Sequence, residues 1–107
     1  MIENADIDYT DGSRELDAAV WHEVCGAPDC NDGSVAPFYS LYTAEAMIVL
    51  SLFKRVLIER GYGGDWTVSI GDDAKTWSDS SLVSRSTHKS LPVAISRACL
   101  KKVRGIQ

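Results

Sequence analysis

Three segments in the second half of the chain decide its fold: TAEAMIVLSLFKRVLIERG (43–61), DWTVSI (65–70) and SLPVAISRACLKKV (90–103). The first segment is apolar on more than one side, which predicts a long helix over residues 44–60 at the centre of the core. Thr43 is placed to cap that helix, and Gly61 is placed to end it.

The other two segments predict a strand and a helix. Trp66, Val68 and Ile70 alternate with polar residues, which is the period of a half-buried strand. Ser90 and Pro92 are typical of a helix start, because a serine can cap the first turn and proline loses no hydrogen bond there.

The rest of the chain supplies the partners of these elements. Apolar residues four apart predict a first helix over residues 14–25, with Ser13 as its cap and Gly26 at its end. A short extended piece is expected at 35–39, and residues 82–87 could pair antiparallel with 65–70. The predicted class is therefore α/β in the α+β sense, with the order α-β-α-β-β-α and a small three-stranded sheet sandwiched with helices.

Length and composition indicate a protein of one domain. With 107 residues and 45% apolar content, the chain can form a single core over residues 13–107, whereas residues 1–12 are expected to be a flexible acidic segment. No apolar run is long enough to span a membrane, and the acidic N-terminus does not resemble a secretory signal. We therefore expect a cytoplasmic protein with reduced cysteines.

Charge is distributed unevenly along the chain. Residues 1–45 hold ten acids and one base, whereas residues 46–107 hold five acids and ten bases. Such asymmetry can hold the first segment against the rest of the fold, present an acidic face to a basic partner, or simply keep the surface solvated.

The chain resembles a known family of small bacteriophage proteins. The residues that carry the resemblance are LDAAVWHEVCG (16–26), the run over 39–60, the strand 65–70 and LPVAISRACLKK (91–102). They are similar to the phage ABA sandwich family, and they cover most of residues 13–104. The resemblance implies a small sheet between helical layers and a phage or prophage origin, and it transfers no catalytic residue.

The histidines and cysteines raise the possibility of a zinc site or of a catalytic nucleophile. His22, Cys25 and Cys30 lie close in sequence, with Asp29 adjacent and Cys99 or His88 as distant candidates for a fourth ligand. Their spacing lacks the tight cysteine pair of a structural zinc site, and neither histidine belongs to a recognisable catalytic motif. We expect no metal, no cofactor and no enzymatic activity.

Nucleic-acid binding would need a larger basic surface. Four bases, Arg97, Lys101, Lys102 and Arg104, follow one another on the last helix, but the protein is acidic and no aromatic residues interleave them. These bases suit the negative end of a helix dipole, which argues against direct contact with nucleic acid.

The functional hypothesis is binding without catalysis. Asp11, Glu15 and Asp17 are candidate contacts on an acidic docking face, and Trp77 is a candidate surface anchor. The expected partner is a host protein or a protein–nucleic acid complex in the bacterial cytoplasm, such as a defence system that the protein inhibits, and a homodimer is left open. The alternative is a small-ligand protein that binds a nucleotide near residues 62–77.

Overall fold

The computed structural model describes residues 2–27, 36–71 and 83–106. The α+β class and the small three-stranded sheet are confirmed. The elements, in chain order, are a 3-10 helix Asn4–Tyr9, helix α1 Arg14–Ala19 with a π-helical continuation Val20–Val24, helix α2 Thr43–Leu50, strands β1 Val56–Arg60, β2 Trp66–Ile70 and β3 Ser84–His88, and helix α3 Leu91–Arg104.

Helix α1 begins and ends as its sequence predicts. The Ser13 hydroxyl accepts the backbone N–H of Leu16 at 3.1 Å, so the predicted cap is formed. Gly26 has a φ of +77°, a conformation that glycine adopts without strain. The last turn is π-helical, because the Cys25 N–H bonds to the Val20 carbonyl, five residues back, at 3.2 Å.

The predicted long helix over residues 44–60 is wrong in its second half. Helix α2 ends at Leu50, and residues 56–60 form β1 instead. Val56 lies opposite Ile70 and Arg60 lies opposite Trp66, in an antiparallel hairpin. The β-branched Val56 and Ile58 fit a pleated surface, and pairing with β2 outweighs their helical periodicity.

The sheet is antiparallel throughout, in the order β1-β2-β3. Strand β2 matches its predicted residues 66–70, and the predicted third strand is observed at Ser84–His88. The first strand of the expected order is absent from residues 36–39, whereas residue 35 lies outside the described residues. Val68 and Ile70 are fully buried toward α3, and the opposite sheet face carries polar side chains such as Thr67 and Thr87.

Helix α3 is the centre of the core, a position that the sequence predicts for a helix over residues 44–60. All ten residues from 92 to 101 are buried, and α3 contacts β2, β3, α2, α1 and the N-terminal 3-10 helix. Gly105 ends the helix with a φ of +72°, and the Ile106 N–H bonds to the Lys101 carbonyl at 3.0 Å. A helix surrounded in this way must bury polar side chains, and it therefore has to supply partners for them.

The N-terminal segment packs on the domain, so the expectation of a flexible tail over residues 1–12 is corrected for residues 2–12. Ile7 is fully buried and Ile2 is 5% exposed, and both belong to the core. The Thr10 carbonyl accepts the Arg97 Nε at 2.7 Å. A Cβ on Gly12 would lie 3.0 Å from the Ser40 carbonyl oxygen, which shows how closely the segment approaches the domain.

Candidate protein-binding surface

Large apolar side chains are exposed around helix α2. Six of the ten exposed large hydrophobic residues in the described part of the chain lie within residues 38–52, and each is between 43% and 63% exposed. We call this set the α2 surface; it consists of Phe38, Leu41, Tyr42, Met47, Ile48 and Leu52. Concentration of exposed apolar side chains on one segment is typical of an interaction site, whereas scattered ones are ordinary.

The side of helix α2 that is turned toward solvent carries no charged residue, and the one charged residue of the helix, Glu45, is half-buried. Ala46, Val49 and Leu50 are buried on its inner side. The side turned outward carries Thr43, Ala44, Met47 and Ile48, which are all exposed and uncharged. A helix on the surface of a monomeric protein normally places charged residues there. The outward side of α2 therefore has the amino-acid composition of a helix side that is buried against another element.

A fixed aromatic pair lies before the helix. The Tyr42 N–H bonds to the Phe38 carbonyl at 3.0 Å, and the two rings pack edge to face with centroids 5.7 Å apart. The Arg14 guanidinium carbon lies 4.0 Å from the centre of the Phe38 ring. Since Arg14 is itself bonded to Asp17 at 2.8 Å, this cation–π contact holds Phe38 in one orientation.

The α2 surface was not predicted as a binding site. The sequence predicts that the apolar residues of the segment 44–60, which include Met47, Ile48 and Leu52, lie in the core, but Ile48 is 63% exposed. The sequence does contain a signal for this surface, because a helix that is apolar on more than one side has more apolar surface than one neighbour can cover. Which side is covered depends on the packing of α3, and that packing is a tertiary property.

Asp17 is buried, so the prediction that it contacts a partner is wrong and its role is structural. Its side chain is 2% exposed. One carboxylate oxygen accepts both the backbone N–H and the hydroxyl of Ser40 at 2.7 Å, and the other accepts Arg14. The position of Asp17 in α1 turns it inward, where the carboxylate is satisfied by donors from the chain itself.

Asp11 and Glu15 remain at the surface, whereas the third acid of the predicted docking face, Asp17, is buried. Asp11 accepts a hydrogen bond from His88 Nε2 at 2.8 Å and lies 3.8 Å from Arg97. The hydrogen bond from His88 lowers the pKa of the Asp11 carboxyl. Glu15 is exposed. Trp77 lies outside the described residues.

Part of the charge asymmetry is neutralised by ion pairs between described residues of the two halves of the chain. Lys101 pairs with Asp8 at 2.8 Å, and Arg104 holds Glu23 through two hydrogen bonds of 2.7 and 2.8 Å. The hydrogen bond from Arg104 lowers the pKa of Glu23. Of the three uses proposed for the asymmetry, the structure shows the first, since acids of the first segment hold bases of α3.

The histidine and cysteine cluster shows no metal geometry in the part of the chain that is described. No group of three His, Cys, Asp or Glu side chains there could hold an ion. His22 Nδ1 donates to the Ala27 carbonyl at 2.7 Å, and Cys25 Sγ lies 3.7 Å from the Tyr39 hydroxyl. Burial raises the pKa of the Cys99 thiol, which keeps it protonated. Cys30 and Asp29 lie outside the described residues.

One open recess of about 390 Å³ lies between the N-terminal helix and α3, lined by Ile2, Glu3, Asn4, Ala5, Glu23 and Arg104. The Arg104 guanidinium at its edge already donates to Glu23, to the Ile2 carbonyl and to Asn4. Those bonds occupy the donors that a phosphate would need, so this recess does not favour a nucleotide. Residues 72–77 of the predicted ligand region lie outside the described residues.

Comparison with known proteins adds no relative. No family model, curated protein or solved structure matches the chain. The resemblance to the phage ABA sandwich family therefore stays a prediction. None of the helices that the structure describes has the length and apolar character needed to cross a membrane.

Proposed function

We propose that this chain is a non-enzymatic binding protein that docks on another protein through the α2 surface. The observation that carries the proposal is the outward side of α2, which exposes Met47 and Ile48 and has no charged residue. Burying these side chains against a partner would remove apolar area from water, which is the main driving force of protein association.

The rest of the surface supports a protein partner over nucleic acid. Arg97, Lys101 and Arg104, three of the four bases of α3, are already bonded to groups of this chain. Nucleic-acid binding draws on bases that neutralise phosphates and so release the counterions of the nucleic acid, and bases held in internal pairs contribute little to it. We therefore place the docking face on the apolar residues of the α2 surface and not on the acidic residues that the sequence indicates.

We further propose a setting for this binding that rests on the resemblance. In that setting the protein is a phage or prophage accessory factor in the bacterial cytoplasm, and its target is a host protein or protein–nucleic acid complex of a defence system. Such a factor works by occupying a surface of its target, for which an exposed apolar helix flanked by a fixed aromatic pair is suited.

The test compares two lysine substitutions. Ile48→Lys places a charge in the middle of the α2 surface, whereas Tyr62→Lys alters a fully exposed aromatic residue outside it. Proteins captured from bacterial lysate by the wild-type chain are identified by mass spectrometry, and the dissociation constant of the purified pair is measured. Ile48→Lys should raise it about tenfold or more, and Tyr62→Lys should leave it unchanged.

Both variants must melt at the wild-type temperature for the comparison to hold, which their exposure predicts. A partner that binds wild type and Ile48→Lys with equal affinity would reject the α2 surface as the docking site. A rise in melting temperature with nucleotides alone would favour the small-ligand alternative instead.

A further inference from the structure

The hydrogen bonds at the two ends of the β1–β2 hairpin fix which backbone groups of β1 point outward. The Gly61 N–H bonds to the Asp65 carbonyl at 2.8 Å, and the Gly71 N–H bonds to the Arg55 carbonyl at 3.0 Å. Antiparallel pairs alternate between bonded and non-bonded residues. Leu57 and Glu59, two and four positions from Arg55, therefore bond to β2.

The intervening residues of β1 turn their backbone groups away from the sheet. These residues are Val56, Ile58 and Arg60, which lie opposite Ile70, Val68 and Trp66 in non-bonded pairs. Their N–H and C=O groups point to the outer edge of the sheet. No strand that the structure describes pairs with that edge, since the described sheet begins at β1.

The opposite edge of the sheet is closed. The same alternation directs the carbonyls of Arg85 and Thr87 in β3 outward, because their neighbours bond to β2. Lys101 Nζ donates to the Arg85 carbonyl at 2.7 Å, and Arg97 Nη1 lies 3.4 Å from the Thr87 carbonyl. The two buried bases of α3 thus occupy the acceptors to which another strand would bond.

The β1 edge has none of these protections among the described residues. It carries three consecutive apolar residues, Val56, Leu57 and Ile58, and it contains no proline. Proteins usually block an open edge by proline, by a bulge, by charged side chains or by cover from another element, because unpaired strand groups recruit a further strand. The charged residues of β1, Glu59 and Arg60, lie at its turn end, and residues 56–58 carry no charge. Because the β3 edge is blocked and the β1 edge is regular and apolar, β1 is the edge at which a further strand can join the sheet.

We propose that a second copy of this chain adds its β1 to this edge, antiparallel and related by a two-fold axis. Pairing of the two β1 strands would continue the three-stranded sheet into a six-stranded one. This proposal does not depend on the α2 surface, which belongs to a helix outside the sheet.

The side chains of β1 select a register for this pairing. With Leu57 on the two-fold axis, Val56 faces Ile58 of the other copy, and Arg55 faces Glu59 twice. Over residues 55–59, apolar residues then meet apolar residues and opposite charges meet, whereas Lys54 would face Arg60 if the pairing extended one residue further at each end. With Glu59 on the axis two carboxylates would face each other, and with Ile58 on the axis Leu57 would face Glu59.

Charge exchange between copies tests both the partner and the register. Arg55→Glu alone and Glu59→Arg alone each place like charges opposite each other twice, which should raise the dimer dissociation constant about tenfold. Mixing the two variants restores opposite charges at both positions, so the mixture should form a heterodimer of wild-type affinity. Sedimentation velocity measures all three dissociation constants, and circular dichroism checks that each variant is folded.

Amide hydrogen exchange on the wild-type chain provides a second readout that needs no substitution. The N–H groups of Leu57 and Glu59 should be protected at every concentration, because they bond to β2. The N–H groups of Val56 and Ile58 should gain protection only at concentrations at which the dimer forms.

Three results would overturn the proposal. The first is a chain that stays monomeric at about millimolar concentration, at which even weak dimers associate. The second is a dimer in which Val56 and Ile58 exchange as fast as in the monomer, since a different surface would then mediate it. The third is a mixture of the two charge variants that associates no better than either alone. Protection of these amides only when a different protein binds would assign the edge to that protein.

Discussion

Lys101 and Asp8, which are 93 positions apart in the chain, form a salt bridge of 2.8 Å. The same ammonium group donates to the Arg85 carbonyl at 2.7 Å. The Lys101 side chain is only 6% exposed, so its charge is neutralised within the molecule. One buried lysine therefore joins the N-terminal segment, α3 and the outer edge of β3.

Replacing this lysine should destabilise the fold. Lys101→Met keeps the apolar stem but removes three hydrogen bonds, two to Asp8 and one to Arg85. We expect the free energy of unfolding to fall by about 2 kcal/mol, as measured by urea denaturation. Lys89→Met, at an exposed position, is the matched control and should change it by less than about 0.5 kcal/mol. Equal midpoints for both variants would contradict the role given to Lys101.

The Glu23–Arg104 pair should make stability depend on acid pH. The pKa of Glu23 is lowered in the folded state by the hydrogen bond from Arg104. The unfolded chain therefore takes up this proton at a higher pH than the folded chain does. The stabilisation is complete above about pH 5 and is lost as the pH falls through the lowered folded-state pKa.

The variant Glu23→Gln removes this dependence. It should lower the free energy of unfolding at pH 7 by about 1 kcal/mol and flatten the rise of that free energy with pH below about pH 5. Denaturation curves at several pH values measure the slope. Parallel pH profiles for Glu23→Gln and wild type would show that the pair does not contribute to acid sensitivity.

Asp17 should matter for stability rather than for docking. Asp17→Ala leaves the backbone N–H and the hydroxyl of Ser40 without their buried acceptor, so we expect a loss of about 3 kcal/mol in unfolding free energy. Glu15→Ala, two positions earlier in the same helix and exposed, should be nearly neutral. Thermal melts of the two variants decide the matter, because a surface docking role predicts wild-type stability for both.

Two glycines should respond differently to alanine. Gly105 has a φ of +72°, and its N–H closes the end of α3 on the Lys102 carbonyl at 3.1 Å. Gly105→Ala should therefore cost about 1 kcal/mol of stability. Gly63 has no positive φ, and a Cβ there would meet no atom within 4 Å, so Gly63→Ala should be neutral or slightly stabilising. The measurement is the difference in melting temperature between these two variants. A lower melting temperature for Gly63→Ala than for Gly105→Ala would refute the prediction.

The hairpin is the part of the fold that sequence reasoning missed although its signal was present. Val56 and Ile58 are β-branched and stand at alternate positions, and Gly61, Gly63 and Gly64 separate this run from the strand at 66–70. Two such runs across a glycine-rich turn are typical of a hairpin. The preceding apolar run masked this pattern, because it continues a helical period through residue 60 and Gly61 is also a good helix end.

The candidate site could not be predicted from periodicity alone. Met47 and Ile48 have the composition of core residues, and only the placement of α3 against Ala46, Val49 and Leu50 leaves them exposed. Asp17 shows the reverse, since an acid in an acidic stretch suggests a surface position, whereas the approach of Ser40 makes it a buried acceptor.

The sequence by itself determined the elements whose physics is local. These are the cap at Ser13, the strand from Trp66 to Ile70 and the proline-started helix α3. Only the tertiary structure decided which face of α2 is buried, which edge of the sheet is closed and which charges pair. Asp8 and Lys101, like Glu23 and Arg104, are brought together by chain packing, and no local pattern encodes a contact across such separations.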